Sequence, residues 1–118
     1  MGEMADFDIA SFEASALEVA GVLRGLGNER RLMILCRLVE CGEMSVGSLV
    51  EAVGVSQSAL SQHLAKLREE GVITFRRESQ TLWYRIADRR IEALMTELHR
   101  LYCRHKPAKR PKRQGTKT

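Results

Sequence analysis

A mainly α-helical domain with one small β-hairpin, an α+β chain in the order ααααββα, is what this sequence predicts, and three observations carry the prediction. Apolar residues recur at helical spacing in five stretches. A single stretch between the fourth and fifth of these changes to period-two alternation. Capping residues and glycines fall at the joints, as helix and turn chemistry requires.

Residues 1–11 show no sustained period and are expected to form an N-terminal arm. From Phe12 to Leu26 apolar side chains occur around much of the helix circumference, through Phe12, Leu17, Val19, Val22 and Leu23, so this helix needs cover on more than one side. A subunit interface would supply it. Asn28 can cap a second helix, NERRLMILCRLVEC, whose Leu32, Ile34, Leu35 and Leu38 place it at the centre of the core and which ends at Gly42.

Ser45 can cap a short third helix containing Val46, Leu49, Val50 and Val53, and Gly54 stands where a left-handed terminator is expected. Ser56 can cap the fourth. There Leu60, Leu64 and Leu67 form one narrow apolar stripe, and Gln57, Ser58, Ser61, Gln62 and Ala65 lie on the other side. A polar, amide-rich face with little charge suits a helix that reads base edges, because Gln can bond adenine in bidentate fashion and small side chains allow close approach. An ordinary helical hairpin with a Ser- and Gln-rich surface is the alternative.

After Gly71, Ile73, Phe75 and Arg77 alternate with Thr74 and Arg76, then Glu78, Ser79 and Gln80 suggest a turn, then Leu82, Tyr84 and Ile86 alternate with Trp83 and Arg85. This predicts the hairpin. Asp88 starts a last helix with Ile91, Leu94, Met95, Leu98, Leu101 and Tyr102 on one face, more apolar surface than one small core needs. A core of three helices with a helix-turn-helix, followed by a hairpin and a closing helix, has the order of a winged helix-turn-helix. Its body spans 12–105, and 106–118 reads as a low-complexity basic tail expected to be disordered.

Charge and composition narrow the function. The net charge of +4 comes from the tail, since residues 104–118 hold seven Lys or Arg and no acid, leaving twelve basic and fifteen acidic groups before them. Within residues 56–90, however, seven basic side chains face four acidic ones, a local patch around the fourth helix and the hairpin. No apolar run approaches the roughly 18–20 residues of a membrane span, and the acidic N-terminus does not look like a secretory signal. A cytoplasmic protein without membrane contact is expected. No Ser/His/Asp set, phosphate-binding glycine loop or usefully spaced carboxylate pair points to an enzyme, and no cofactor is expected.

The segments NERRLMILCRL and SVGSLVEAVGVSQSALSQHLAKLREEGVI, with a wing ending in LWYRI, resemble the ArsR-type (ArsR/SmtB) winged helix-turn-helix transcriptional regulators of bacteria, over most of the chain from Leu17 to Cys103. The resemblance implies a homodimer built from the first and last helices, binding double-stranded DNA at an imperfect inverted repeat with half-sites about one helical turn apart. On matching positions it implies DNA contacts by Gln57, Ser58, Ser61, Gln62 and His63, His63 being equally suited to packing beside the Leu60 and Leu64 stripe. Arg76 and Arg77 of the wing are expected to hold phosphates, or else to form a solvated strand edge.

Neither metal site of the family has its residues here. The thiol site requires Cys-x-Cys in SVGSLVEAV, which has no cysteine, and in the last helix Asp88 is followed by Arg89 and Arg90 rather than by a histidine two residues on. His99 and His105, six apart, do not share a helix face, so no metal is expected. Cys36 and Cys103 instead match the two thiols of a dithiol-sensing branch of the family, in which oxidation or bridging by reactive sulfur species weakens operator binding. Cys36 read alone, without the resemblance, is better taken as a small buried apolar residue. Cys41, about 140° around the helix from Cys36, is read as a bystander. The resulting expectation is a repressor induced by persulfide or polysulfide. The alternatives are an activator that displaces a silencing protein in response to general oxidants, and a helical interaction module that does not touch DNA.

Overall fold

Four side-chain caps set the frame of the molecule. Asn28 accepts from the backbone N–H groups of Arg30 and Arg31, Ser45 from Ser48, Ser56 from Ala59 and Asp88 from Arg90, each satisfying donors that a helix start leaves free. The computed structural model describes residues 7–103. The elements are α1 (Ile9–Leu26), α2 (Glu29–Cys41), β1 (Met44–Ser45), α3 (Val46–Val53), α4 (Gln57–Glu69), β2 (Ile73–Glu78), β3 (Thr81–Ile86) and α5 (Arg89–Tyr102). None of these helices is long and apolar enough to cross a membrane.

The expected order ααααββα is present with one addition and one shifted boundary. The addition is β1, two residues that pair antiparallel with β3, Met44 opposite Tyr84 and Ser45 opposite Trp83, giving a sheet of order β1-β3-β2. The shift is at α1, which begins at Ile9 because Asp8 caps it: the carboxylate accepts from the Ser11 backbone and hydroxyl. Residues 1–6 of the expected arm and the whole basic tail, 106–118, lie outside the described residues.

Ile34, Leu35 and Leu38 of α2, Leu49 of α3, Leu60, Leu64 and Leu67 of α4, Val72, Ile73, Tyr84 and Ile91 form one core. The α4 stripe therefore faces inward, and its polar side faces out. The fourth helix stops at Gly71, whose φ of +76° is in the left-handed region; its N–H bonds the Arg68 carbonyl and that of Val72 bonds Leu67. In β2 and β3 the register Phe75 with Tyr84 and Arg77 with Leu82 puts these four on the face that continues from the core, while Arg76 and Trp83 stand on the other.

Large apolar side chains remain uncovered on three helices, among them Met33 and Val39 of α2. Phe12, Leu17 and Leu23 of α1 and Leu101 and Tyr102 of α5 are exposed, Leu17 to 83%. Such a surface on the first and last helices is what a partner subunit would cover.

Candidate nucleic-acid interface and thiol groove

Gln57, Ser58, Ser61 and Gln62 are all exposed on the outer side of α4, brought there by the inward turn of Leu60 and Leu64. Between this face and the wing runs a cleft of about 590 Å³. Its walls include Gln57 and Ser61 of α4, Ser45 and Gly47 at the start of α3, and Gln80 and Thr81 at the hairpin turn. Arg68 also lines it, its guanidinium lying 4.6 Å from the centroid of Phe75, which in turn packs on Tyr84 at 5.3 Å. Stacking fixes that cation without neutralising it. A cleft that joins amides, hydroxyls and a fixed cation to the outer face of a helix can take a phosphate backbone along its length while the helix meets base edges.

The two wing arginines part company. Arg76 bonds both carboxylate oxygens of Glu43, at 2.9 and 3.0 Å, and Glu78 at 3.2 Å, and it sits 5.9 Å from the Trp83 ring centroid. The Arg76 guanidinium beside Glu43 holds that carboxyl below its ordinary range. Arg76 is thus engaged inside the protein, tying the wing to the residue before β1. Arg77, on the opposite face of the strand, pairs with no carboxylate among the described residues. It is left available to an outside anion, as is Arg85 of β3, which is exposed and likewise forms no ion pair among the described residues.

His63 is half-buried rather than presented on the outer face. Burial, and then the charges of Arg31 and Arg30 at the start of α2, lower its pKa from the ordinary 6.5. The neutral ring is therefore favoured by folding, so this contribution to stability is complete above about pH 6.5 and is lost as pH falls through the lowered value. The expected result is a falling urea midpoint on acidification below that point, with a shallower fall in His63→Gln. An equal fall in both would show that His63 has no part in it.

The cysteines occupy a second feature. Cys36 and Cys103 both line a groove of about 630 Å³ between α2 and α5, whose walls are otherwise mostly apolar: Leu32, Met33, Val39, Met95 and Leu98, with His99 and Glu40 at its polar margin. All three cysteines are free and exposed, which sets aside the reading of Cys36 as a buried core residue. Cys41, at the last turn of α2, does not line the groove. No group of three or more His, Cys, Asp or Glu side chains is gathered for a metal among the described residues.

Arg68, Gln80 and Thr81 were not singled out by sequence pattern. Arg68 belonged to the basic patch, but its stacking on Phe75 depends on how the hairpin folds back over α4.

Comparison with known proteins gives consistent matches. The model of the bacterial regulatory proteins of the arsR family matches residues 28–74. The transcriptional activator HlyU of Vibrio cholerae is 42% identical over 99 residues, 84% of this chain and 91% of that protein. The crystal structure of the transcriptional repressor BigR from Xylella fastidiosa superposes with a TM-score of 0.77 at 37% identity, covering 84% of this chain and all of that one. A homodimeric winged helix-turn-helix DNA-binding domain from Mycobacterium bovis superposes at 0.68 with 31% identity, over 81% of this chain and 94% of that one.

Proposed function

This chain belongs to the arsR family of bacterial DNA-binding transcriptional regulators, and on that premise we propose that it is a homodimeric repressor that reads an inverted-repeat operator with α4 and releases it when Cys36 and Cys103 are bridged by reactive sulfur. The observation that carries the reading is the groove: two thiols from segments far apart in sequence, and no other cysteine among the described residues, line one mostly apolar groove.

Gln57, Ser58, Ser61 and Gln62 contact bases; Arg77 and Arg68 hold phosphates; Arg76 keeps the wing in place; His63 packs beneath the reading face. Two such helices, one per protomer, enter successive major grooves, and α1 and α5 supply the dimer contact through Phe12, Leu17, Leu23, Leu101 and Tyr102. The relative from Mycobacterium bovis, described as homodimeric, supports that assembly.

The sulfur step is an exchange in which the thiolate of one cysteine attacks the sulfane sulfur of a hydropersulfide RSSH, forming a cysteine persulfide and releasing RSH. The second thiolate then attacks the cysteine sulfur of that persulfide, closing a disulfide and expelling hydrogen sulfide. The two thiols lose two electrons, and the sulfane sulfur gains them. The bridge ties α2, the core helix, to α5, a dimer helix, and so changes how the two reading helices are held.

An activator that displaces a silencing protein is the second reading, favoured by the similarity to HlyU, which is described as a transcriptional activator. Transcription from the target promoter with and without the protein separates the two.

DNA binding itself is tested by the salt dependence of complex formation with DNA from upstream of its own gene. A specific complex is expected, weakening steeply with salt. Arg77→Ala is expected to weaken binding to all sequences and to lower the salt slope by about one. Arg76→Ala should leave the slope closer to wild type, since that side chain is already neutralised by Glu43 and Glu78. Absence of a salt-sensitive specific complex would leave only the interaction-module reading.

A further inference from the structure

Full burial on α1 is confined to Gly21, Gly25 and Leu26. The two glycines are four residues apart and so share a face, and one side chain lies across both. A Cβ on Gly21 would stand 2.8 Å from Oε1 of Glu70; on Gly25 it would stand 3.3 Å from Cγ and 3.4 Å from Cβ of the same residue, with Val72 Cγ2 behind at 3.8 Å. Glu70 is the residue that caps α4 at its C-terminal end. Its carboxylate is met on the other side by Lys66 Nζ at 3.6 Å. The adjoining turn of α1 is fixed too, because Arg31 Nε donates to the Gly25 carbonyl at 2.6 Å.

We propose that Glu70, seated on Gly21 and Gly25, is a positioning residue that sets the angle of the reading helix on the dimer helix, and thereby the separation of the two reading helices. The proposal rests on the DNA-reading dimer described above. Its physical content is a lever. α4 has 13 residues, roughly 20 Å at 1.5 Å per residue, with Glu70 at one end and Gln57 at the other. A displacement of a few tenths of an ångström that tilts the helix at Glu70 is magnified at Gln57. Operator half-sites are fixed at about 34–36 Å, so a tilt appears as a change in the preferred spacing. Without side chains on Gly21 and Gly25, α1 lies directly on Glu70, and movement of α1 at a subunit interface passes to α4 through that contact.

The test uses the full chain and a set of operators whose half-site spacing differs by single base pairs. Gly25→Ala sets a Cβ 3.3 Å from Cγ and 3.4 Å from Cβ of Glu70, so Glu70 must give by a few tenths of an ångström near its backbone rather than at its carboxylate tip. It is expected to remain dimeric by light scattering, to lose about tenfold in affinity at the wild-type spacing, within the usual range for coupling between sites, and to shift or flatten the spacing optimum. Adding Glu70→Gly, which removes the atoms in the way, should restore the optimum, and Glu70→Gln alone should keep it. An unchanged profile in Gly25→Ala, or an equal loss at every spacing and on nonspecific DNA, overturns the proposal. Should Gly25→Ala not fold, Glu70→Ala decides: broadened spacing tolerance supports the lever, and a wild-type profile overturns it. Failure of the wild-type chain to bind any operator is a different result, removing the DNA reading itself and this proposal with it.

Discussion

Inorganic polysulfide is expected to lower the affinity of the reduced protein for its operator by about 5- to 150-fold, the span of a typical coupling free energy of about 1–3 kcal/mol between two sites. Cys36→Ser and Cys103→Ser should each bind the operator when reduced and lose the response, because each removes one wall thiol from the groove between α2 and α5. Cys41→Ser should respond as wild type, since Cys41 does not line the groove. Size is set by what the bridge can strain. α2 contributes the fully buried Ile34, Leu35 and Leu38 to the core, whereas α5 contributes Ile91 in full with Leu94 and Met95 only partly buried against it, so α5 is the more weakly held of the two. The strain therefore falls on α5 and on the dimer contact that its exposed Leu101 and Tyr102 make in the proposed assembly. Mass spectrometry of the treated protein should find a Cys36 to Cys103 linkage containing two or more sulfur atoms. A full response from either single variant, or a bridge through Cys41, rules out the dithiol switch.

What sequence could show was whatever is local. Asn28, Ser45, Ser56 and Asp88 are caps because of chemistry within three residues of themselves, and each one caps in the structure. Leu60, Leu64 and Leu67 declare their face by spacing alone, and that face is buried. β1 was missed because two residues cannot display a period; its pairing comes from β3, and Ser45 in it also serves as the cap of α3. The same distance in sequence hid the fate of Arg76, whose partner Glu43 lies 33 residues earlier. It hid the burial of His63 beside Arg30 and Arg31 as well, which depends on how α2 crosses α4. Resemblance to a family paired Cys36 with Cys103; only the packing of α2 against α5 brings both to the lining of one groove. Glu70 had no signal at all, since G-x-x-x-G in α1 says that something approaches closely but not what.

The two faces of α4 should fail in opposite ways. Leu60 is fully buried between α4 and the rest of the core, so Leu60→Ala removes three carbons' worth of packing and leaves a cavity that cannot close without moving α2 or the sheet. The expected cost is about 2–5 kcal/mol, a large share of the roughly 5–15 kcal/mol that holds a domain together. Gln57→Ala and Gln62→Ala act on exposed side chains that make no hydrogen bond within the described residues, and each should leave stability within about 0.5 kcal/mol. In DNA binding the order reverses. Each glutamine that makes a bidentate base contact carries about 1–3 kcal/mol of discrimination, so its loss should relax specificity at one base pair per half-site while nonspecific binding persists on Arg68 and Arg77. Leu60→Ala should instead weaken specific and nonspecific binding together, in proportion to the unfolded fraction, and recover both when the protein is stabilised by cooling or osmolyte. Urea unfolding beside binding to a set of single-base operator variants separates these outcomes. If the glutamine variants change neither affinity nor base preference, the outer face of α4 does not read bases, and sequence selection must come from the cleft beside the wing.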